Sequence, residues 1–487
     1  MYIKRLKLQN FKSYRGQHTF EFVPGLNCIV GENNGGKSTI FEGITYIMGI
    51  GRPDDSLVCT DPDPADTRMR VEMDIVVDPE VDFKDDKYAR LRAYHFADDD
   101  DEIIRIERMP DLRTVQQGGR EVQLDGKKLP IWNPDTEQFE NPTGIDALLK
   151  GLVNVEPIWA DTIPGEVADF GATKILGKII DAKVKGFLDS AAWGVFKAAH
   201  KEAFVDSQGS LVSQMDAIAN QISQVVQEQY GDATLRFNFN EPEASALVKS
   251  GELLVHDGVG ETPLALKGTG MQRAFSLALI QVLAKVTRGT VDAGPPLILL
   301  IDEPETWLHP SAQIKLGEAL GAIEDQLFLI THSPYLLRRL NPDKHQLMLI
   351  SGKGTEAEVT SRKDLGIEKL GHPTLGEITY KAFGIATDEF FIELYTLLEK
   401  RLGYKLRKAL FQQGLPEWKE RIWPDGGKLM LPRPVYVRHS IYHPGTENVP
   451  HTEQDLRDSI EDMLGVINKL VPLTPSPDPD EDGDETA

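Results

Sequence analysis

Residues 26–49, LNCIVGENNGGKSTIFEGITYIMG, constrain this chain more than any other stretch. The apolar run from Leu26 to Val30 reads as a buried strand, and the segment after Ser38 reads as an amphipathic helix. Between them, Gly31-Glu32-Asn33-Asn34-Gly35-Gly36-Lys37-Ser38 fits G-x-x-x-x-G-K-[ST] in full. Strand, glycine-rich loop and helix in that order make a phosphate cradle. The glycines let backbone N–H groups curl round β- and γ-phosphates, and the helix N-terminus adds positive potential. The expected nucleotide-binding residues are Asn33, Asn34, Gly35, Gly36, Lys37, Ser38 and Thr39. Lys37 is expected to reach the β/γ oxygens of ATP, and Ser38 to ligate Mg²⁺.

At 487 residues the chain is too long for one core, so two or three domains are expected. It carries 76 acidic and 53 basic side chains, a net charge of −23. That sign opposes a protein that coats itself with nucleic acid, so any such contact needs a local basic patch. The two cysteines, Cys28 and Cys59, lack metal-ligand spacing and fit a reduced compartment. No signal-peptide pattern opens the sequence and no apolar run reaches membrane-span length. A soluble cytoplasmic protein with no membrane contact is the expectation.

Residues 1–25 alternate as two strands around a turn, with Ile3, Leu6, Leu8, Phe20 and Phe22 as the apolar set. The series LQNFKSY, then F…GLNCIVGENNGGKSTI, resembles the start of SMC, RecF and OLD-type ATPases. The resemblance implies the first lobe of an ABC-type ATPase head, with Lys12 and the turn after it near the nucleotide. Alternating strands over 69–78, 103–109 and 120–129, the last with a hairpin signal at Asp125-Gly126, predict an antiparallel sheet flanking the loop. The acid run Asp98 to Glu102 reads as a solvated loop, with a metal cluster as the alternative. Residues 145–230 read as mainly helical, and no heptad run sustains a long coiled-coil arm there. Strands are expected to return at 234–240 and 252–258.

Gly268-Thr269-Gly270, followed by Gln272-Arg273 at the start of a long helix, resembles the ABC signature in its OLD-like GxGxQR form. Such a loop faces the γ-phosphate of ATP held by a second protomer. The run PLILLIDEPETWLHP resembles a Walker B strand with a D-loop after it. The resemblance implies that Asp302 holds Mg²⁺ and that Glu303 polarises the attacking water. His332, at the tip of QLFLITHS, matches the switch histidine that contacts the γ-phosphate. No glutamine is assigned to the Q-loop.

OLD-type proteins usually continue into a Toprim nuclease. No Glu with an Asp-x-Asp pair on strands follows residue 350, which argues against a Toprim site. Lys400, Arg401, Lys405, Arg407, Lys408, Lys419 and Arg421 interleave with Tyr404, Phe411, Trp418 and Trp423. This pattern reads either as a single-strand nucleic-acid patch or as an exposed helix face. Arg438 and His443 form R-x4-H and resemble the HEPN ribonuclease signature, in which the arginine holds the scissile phosphate and the histidine moves a proton. A non-catalytic helical docking domain is the other reading. Thr452 to Asp455 is expected to cap a last helix, and the Pro- and acid-rich tail from Val471 to be disordered.

The expected fold is α/β, an ABC-type P-loop head built on a mixed central sheet and an antiparallel flanking sheet. The expected boundaries are 1–144 (N-terminal lobe), 145–230 (helical insertion), 231–365 (C-terminal lobe), 366–470 (smaller, mainly helical domain) and 471–487 (tail). The architecture resembles ATPase subunits of bacterial anti-phage systems, Septu-type and PARIS-type among them, and ABC-ATPase anticodon nucleases. It implies an ATP- and Mg²⁺-binding homo-oligomer, at least a dimer of heads, that controls an effector nuclease encoded nearby. The alternatives are an ATP-gated HEPN-like ribonuclease using Arg438 and His443, and a RecF-like DNA repair ATPase.

Overall fold

The computed structural model describes residues 1–50 apart from 32, 57–161 apart from 118–119, 176–177, 180, 187–230 apart from 207–209, 234–237, 253–288 apart from 257 and 259, 295–337 apart from 307, 344–351, 358–361, 374–422, 427–442 and 450–470. The chain divides into two units. Met1–Pro157, Ile298–Glu305 and Pro310–Ala487 form the first, and Ile158–Leu297 with Thr306–His309 the second.

In chain order, β1 (Tyr2–Phe11), β2 (Tyr14–Glu21) and β3 (Leu26–Gly31) lead into α1 (Lys37–Met48). Seven strands follow: β4 (Arg70–Val76), β5 (Phe96–Asp98), β6 (Asp101–Arg108), β7 (Arg113–Gln117), β8 (Arg120–Leu124), β9 (Ile131–Asn133) and β10 (Gln138–Glu140). Next come β11 (Asn154–Ile158), α2 (Ala191–Lys201), α3 (Leu211–Tyr230), β12 (Leu254–His256), β13 (Glu261–Pro263) and α4 (Thr269–Arg288). The chain then runs through β14 (Leu297–Asp302), α5 (Pro310–Gly321), β15 (Gln326–Ile330), α6 (Pro334–Leu337), β16 (Gln346–Ser351) and β17 (Glu358–Ser361). The last elements are α7 (Leu375–Phe383), α8 (Asp388–Leu402), α9 (Leu406–Gln412), β18 (Lys419–Ile422), β19 (Lys428–Leu431), α10 (Arg433–Tyr442) and α11 (Glu453–Lys469).

The central sheet has the order β11-β14-β15-β3-β16-β17. The pairs β14–β15, β15–β3 and β3–β16 are parallel, and β17 closes one edge antiparallel to β16. Every residue of β3, β14 and β15 is buried, as unbroken apolar runs require of strands covered on both faces. The second sheet runs β10-β9-β6-β4-β1-β2 with β5 paired to β6, and its strands pair antiparallel. Helix α1 packs against β1, β4 and β6 of this sheet and against β3 of the central one. The mixed and flanking sheets expected of an ABC-type head are therefore both present.

Ile3 and Leu6 are both buried although three residues apart, which plain alternation forbids. A bulge resolves it: β1 advances from Ile3 to Arg5 while β4 advances only from Ile75 to Asp74. A side chain ties the two sheets together. Gln326, first in β15, accepts from the Ile3 N–H at 2.8 Å and donates to the carbonyls of Ile3 and Val23 at 2.7 and 3.1 Å.

Several expectations change. Within the 145–230 stretch expected to be mainly helical, β11 is a strand of the central sheet beside β14. The turn at Asp125-Gly126 does not fold a hairpin on β8; β8 pairs back with β7, and the chain passes on to β9 in the flanking sheet. The acid run is the tip of the β5–β6 hairpin, with Asp99 and Asp100 exposed in its turn as expected of a solvated loop, and its ends are paired. Asp98 and Asp101 pair across the β5–β6 hairpin, and Lys4 Nζ lies 3.0 Å from a carboxylate oxygen of each. Residues 234–237 carry no strand pairing, and 238–252 lie outside the described residues. The expectation for the 471–487 tail also lies outside them.

Helices α7 to α11 and the β18–β19 hairpin share a core of Phe390, Phe391, Leu398, Val437, Ile460 and Met463. Thr452 and Asp455 form a capping box on α11, as the sequence predicts. Helix α7 packs against β3 and α6, so these helices adjoin the central sheet within the same unit. No described helix is long and apolar enough to cross a membrane.

Candidate functional site

The site gathers at the C-terminal ends of β3, β14 and β15, where α/β sheets place their ligands. The glycine loop leaves β3 at Gly31, with φ +150°, and a Cβ there would meet the Ile350 carbonyl oxygen at 2.2 Å. Only glycine permits that approach of β16. Gly36 has φ +91°, and Tyr14 Oη donates 3.1 Å to its carbonyl, so the β1–β2 turn braces the loop from below. Asn33 and Asn34 are exposed at the loop's crest, and Asn34 adopts a left-handed φ of 65°. Gly35 and Thr39 are buried, and Thr39 N–H donates to Gly36 O at 3.1 Å. Lys12, expected near the nucleotide, pairs with Glu42 of α1.

Lys37 is buried, and its ammonium donates 3.1 Å to Gly31 O, across the base of the loop. Burial lowers its pKa, opposed by the charges of Glu303 and Asp302. Ser38 Oγ donates 3.1 Å to Asp302 Oδ2. Burial pushes Asp302 up to about 6; the Ser38 bond opposes the rise, and the charge of Glu303 adds to it. Asp302 Oδ1 is buried and has no hydrogen-bond partner among the described residues. A hydroxyl and a carboxylate converging this way, with one oxygen lacking a partner, are hard donors that fit Mg²⁺. Ser38 and Asp302 would hold the ion, and the ion would neutralise phosphate charge.

Glu303 follows the strand with a left-handed φ of 45°, and its N–H donates 2.9 Å to Ile330 O of β15. A non-glycine residue in this region is strained, and here the turn sits directly after the Asp302 strand end. Its Oε1 lies 3.6 Å from His332 Nε2, beyond hydrogen-bond reach. Burial, followed by the Lys37 charge, lowers the His332 pKa, so the imidazole is neutral near neutral pH. A further neighbour of this group, Glu305, escaped the sequence reading. Glu305 Oε1 accepts from Thr331 Oγ1 at 2.8 Å and from the His332 N–H at 2.6 Å. Its partners stand 26 and 27 residues away and meet it only because β14 and β15 are parallel neighbours.

Thr269 and Gly270 open α4, a 20-residue helix of the second unit. Gly268 O accepts from Met271 and Gln272 N–H, and Gln272 Nε2 donates back to the carbonyls of Ala265 and Lys267. The loop is thus held by its own glutamine, with Thr269 exposed.

Arg438 stacks over the rings of Tyr395 and Tyr442, with centroids at 4.9 and 5.0 Å, and lies 4.0 Å from Glu399. His443 lies outside the described residues, so the R-x4-H pair is not brought together here. Of the basic residues nearby, Arg421 is buried, Arg407 donates to Met430 O, and Lys419 sits over Trp418 and pairs with Asp455. Lys400, Lys405, Lys408 and Tyr404 are exposed; Trp423 lies outside the described residues.

Two family models match: an AAA domain over residues 5–140 and an AAA ATPase domain over 172–337. The chain is 24% identical to the Old nuclease of Escherichia phage P2 over 436 residues, covering 84% of this chain and 69% of that protein. It is 27% identical to Endonuclease GajA of Bacillus cereus over 216 residues, 42% of this chain and about a third (34%) of that protein. Among solved structures, an SMC head bound to the C-winged helix domain of ScpA aligns over 74% of this chain and 97% of its own, at 17% identity and a TM-score of 0.42. With a complete G-x-x-x-x-G-K-[ST] loop, a buried aspartate at the end of β14 and the two AAA models matching around them, the chain is a P-loop ATPase, similar over most of its length to the Old nuclease.

Proposed function

We propose that this ATPase is a nucleotide-gated switch of the cytoplasm that controls a nuclease in anti-phage defence. Lys37 and the loop from Asn33 to Thr39 take the phosphates of ATP, Ser38 and Asp302 take Mg²⁺, Glu303 polarises the attacking water, and His332 senses the γ-phosphate. Two heads close on two nucleotides, each site completed by Gly268, Thr269 and Gly270 of the opposite protomer. The observation that carries this reading is the hydrogen bond of Ser38 to Asp302, with Glu303 3.6 Å from His332, at the C-terminal ends of β14, β15 and β3. The likeness to the phage P2 Old nuclease over most of the chain supports the nuclease link. The effector is a separate partner in this reading. Arg438 is engaged by two tyrosine rings and a glutamate, which favours a structural role over phosphate binding. A HEPN-like ribonuclease and a RecF-like repair factor rank below it.

The test is purification of Glu303→Gln with ATP and Mg²⁺, expressed with its genomic neighbours, read by light scattering and mass spectrometry. A nucleotide-dependent oligomer holding a second protein supports the proposal. Failure of this variant to bind ATP, or an assembly state that ATP leaves unchanged, overturns the paired-head mechanism. Lys37→Ala is the control and is expected to lose nucleotide binding.

A further inference from the structure

We propose that Glu305 is a positioning residue for ATP hydrolysis, holding the Thr331-His332-Ser333 loop so that His332 faces Glu303. The inference goes beyond the ATPase assignment and rests on the reading of His332 as γ-phosphate sensor. One carboxylate oxygen, Oε1, takes both the Thr331 hydroxyl and the His332 N–H, which pins the histidine's own backbone. The bracing continues outward. Ser333 N–H donates 2.9 Å to Thr331 Oγ1, and Ser333 Oγ donates 2.6 Å to Gln313 Oε1 of α5. Glu305 therefore turns towards its own protomer's switch loop. Its second oxygen, Oε2, is buried and has no hydrogen-bond partner among the described residues. A buried carboxyl oxygen is costly to leave so, and what offsets that cost here is the pair of bonds that Oε1 accepts rather than packing. Burial also raises the Glu305 pKa, in keeping with a group shut off from water.

The experiment compares the full-length protein with Glu305→Ala, Glu305→Gln, Thr331→Val, His332→Ala and the double variant Glu305→Ala/His332→Ala. The readouts are kcat and KM for ATP with Mg²⁺, binding of a fluorescent ATP analogue, and thermal melting. Misplacing a catalytic contact by about an ångström costs up to about a hundredfold, so Glu305→Ala is expected to lower kcat about ten- to a hundredfold while KM stays within about twofold. Glu305→Gln keeps an oxygen acceptor and is expected to recover kcat to within about threefold of the parent. If Glu305 acts through His332, adding Glu305→Ala to His332→Ala costs less than about twofold more. Multiplying losses in the double variant, a glutamine no better than alanine, or a loss of analogue binding in step with kcat each overturn the inference. Should Glu305→Ala fail to fold, Thr331→Val carries the test: a lowered kcat at unchanged analogue binding supports it, and an unchanged kcat overturns it. If His332→Ala leaves kcat unaltered, the sensor reading falls and the inference falls with it. A slow His332→Ala beside an unaffected Glu305→Ala overturns the positioning role alone.

Discussion

Ser38 Oγ donates a 3.1 Å hydrogen bond to Asp302 Oδ2, joining the start of α1 to the end of β14 across 264 residues of sequence. The parallel order β14-β15-β3 makes the meeting possible, since it sets both chain ends at the same edge of the sheet. The pair has an electrostatic consequence that can be measured. Asp302 is pushed up to about 6 by burial, above its ordinary carboxylate value. A raised pKa stabilises the folded state fully below the unfolded value near 3.8, and that contribution is lost as pH rises through about 6. At pH 7.5 the ionised, buried Asp302 is therefore a burden on the metal-free protein. Asp302→Asn is expected to raise its melting temperature there, by the equivalent of about 1–3 kcal/mol, and to lose the stabilisation that Mg²⁺ with ATP gives the parent. Melting curves at pH 5 and 7.5, with and without Mg²⁺ and ATP, check both halves. A variant that melts lower than the parent at pH 7.5 without metal contradicts the burial argument.

Gly31→Ala separates the fold's demand from the loop's chemistry. Its Cβ would lie 2.2 Å from the Ile350 carbonyl oxygen, and neither backbone can yield without breaking the β3–β16 ladder. The expected cost is about 2–4 kcal/mol, seen in urea unfolding as a lowered midpoint. An unfolding midpoint equal to the parent's would show that β16 can shift.

Gln326→Leu tests the tie between the sheets. Leucine fills similar space but leaves the Ile3 N–H and the Ile3 carbonyl without their side-chain partner, while the Val23 carbonyl keeps only its 2.9 Å bond from Asn27 Nδ2. The loss of two buried hydrogen bonds and a part-buried third is expected to destabilise by about 2–4 kcal/mol. Hydrogen exchange should quicken first at Ile3. Uniform protection in the variant would mean the bulge at Lys4 re-pairs on its own.

What the sequence disclosed and what it hid divide along a physical line. The phosphate loop, the Asp302 strand and the His332 strand were legible because each is a short local pattern, an apolar run ending in a polar turn. The bulge that places Ile3 and Leu6 on one face, the Gln326 tie and the Glu305 brace were not. Each depends on which strand lies beside which, and a polar residue such as Gln326 at the head of an apolar strand carries no local sign of its partner. The anchoring of the acid run was hidden for the same reason: Asp98 and Asp101 meet Lys4, 94 and 97 residues earlier, only across the sheet. Arg438 matched a short signature, yet the rings of Tyr395 and Tyr442 account for its position.

The last prediction concerns how the head's state reaches the C-terminal helices. The His332 ring has Glu303 near its Nε2 and the Phe383 ring on another side, centroids 6.1 Å apart at 35°. Phe383 ends α7, which packs on β3 and α6 and joins α8 in the core around Phe390. A movement of His332 towards a γ-phosphate would withdraw one partner from Phe383 and bias α7. Coupling of this kind typically amounts to about 1–3 kcal/mol, enough to change hydrogen exchange several-fold. In the Glu303→Gln background, ATP is expected to alter exchange across 375–402, and Phe383→Ala to abolish that response while ATP affinity stays within about threefold. If Phe383→Ala keeps the full response, the helices receive the signal by another route, and the ring contact is packing alone.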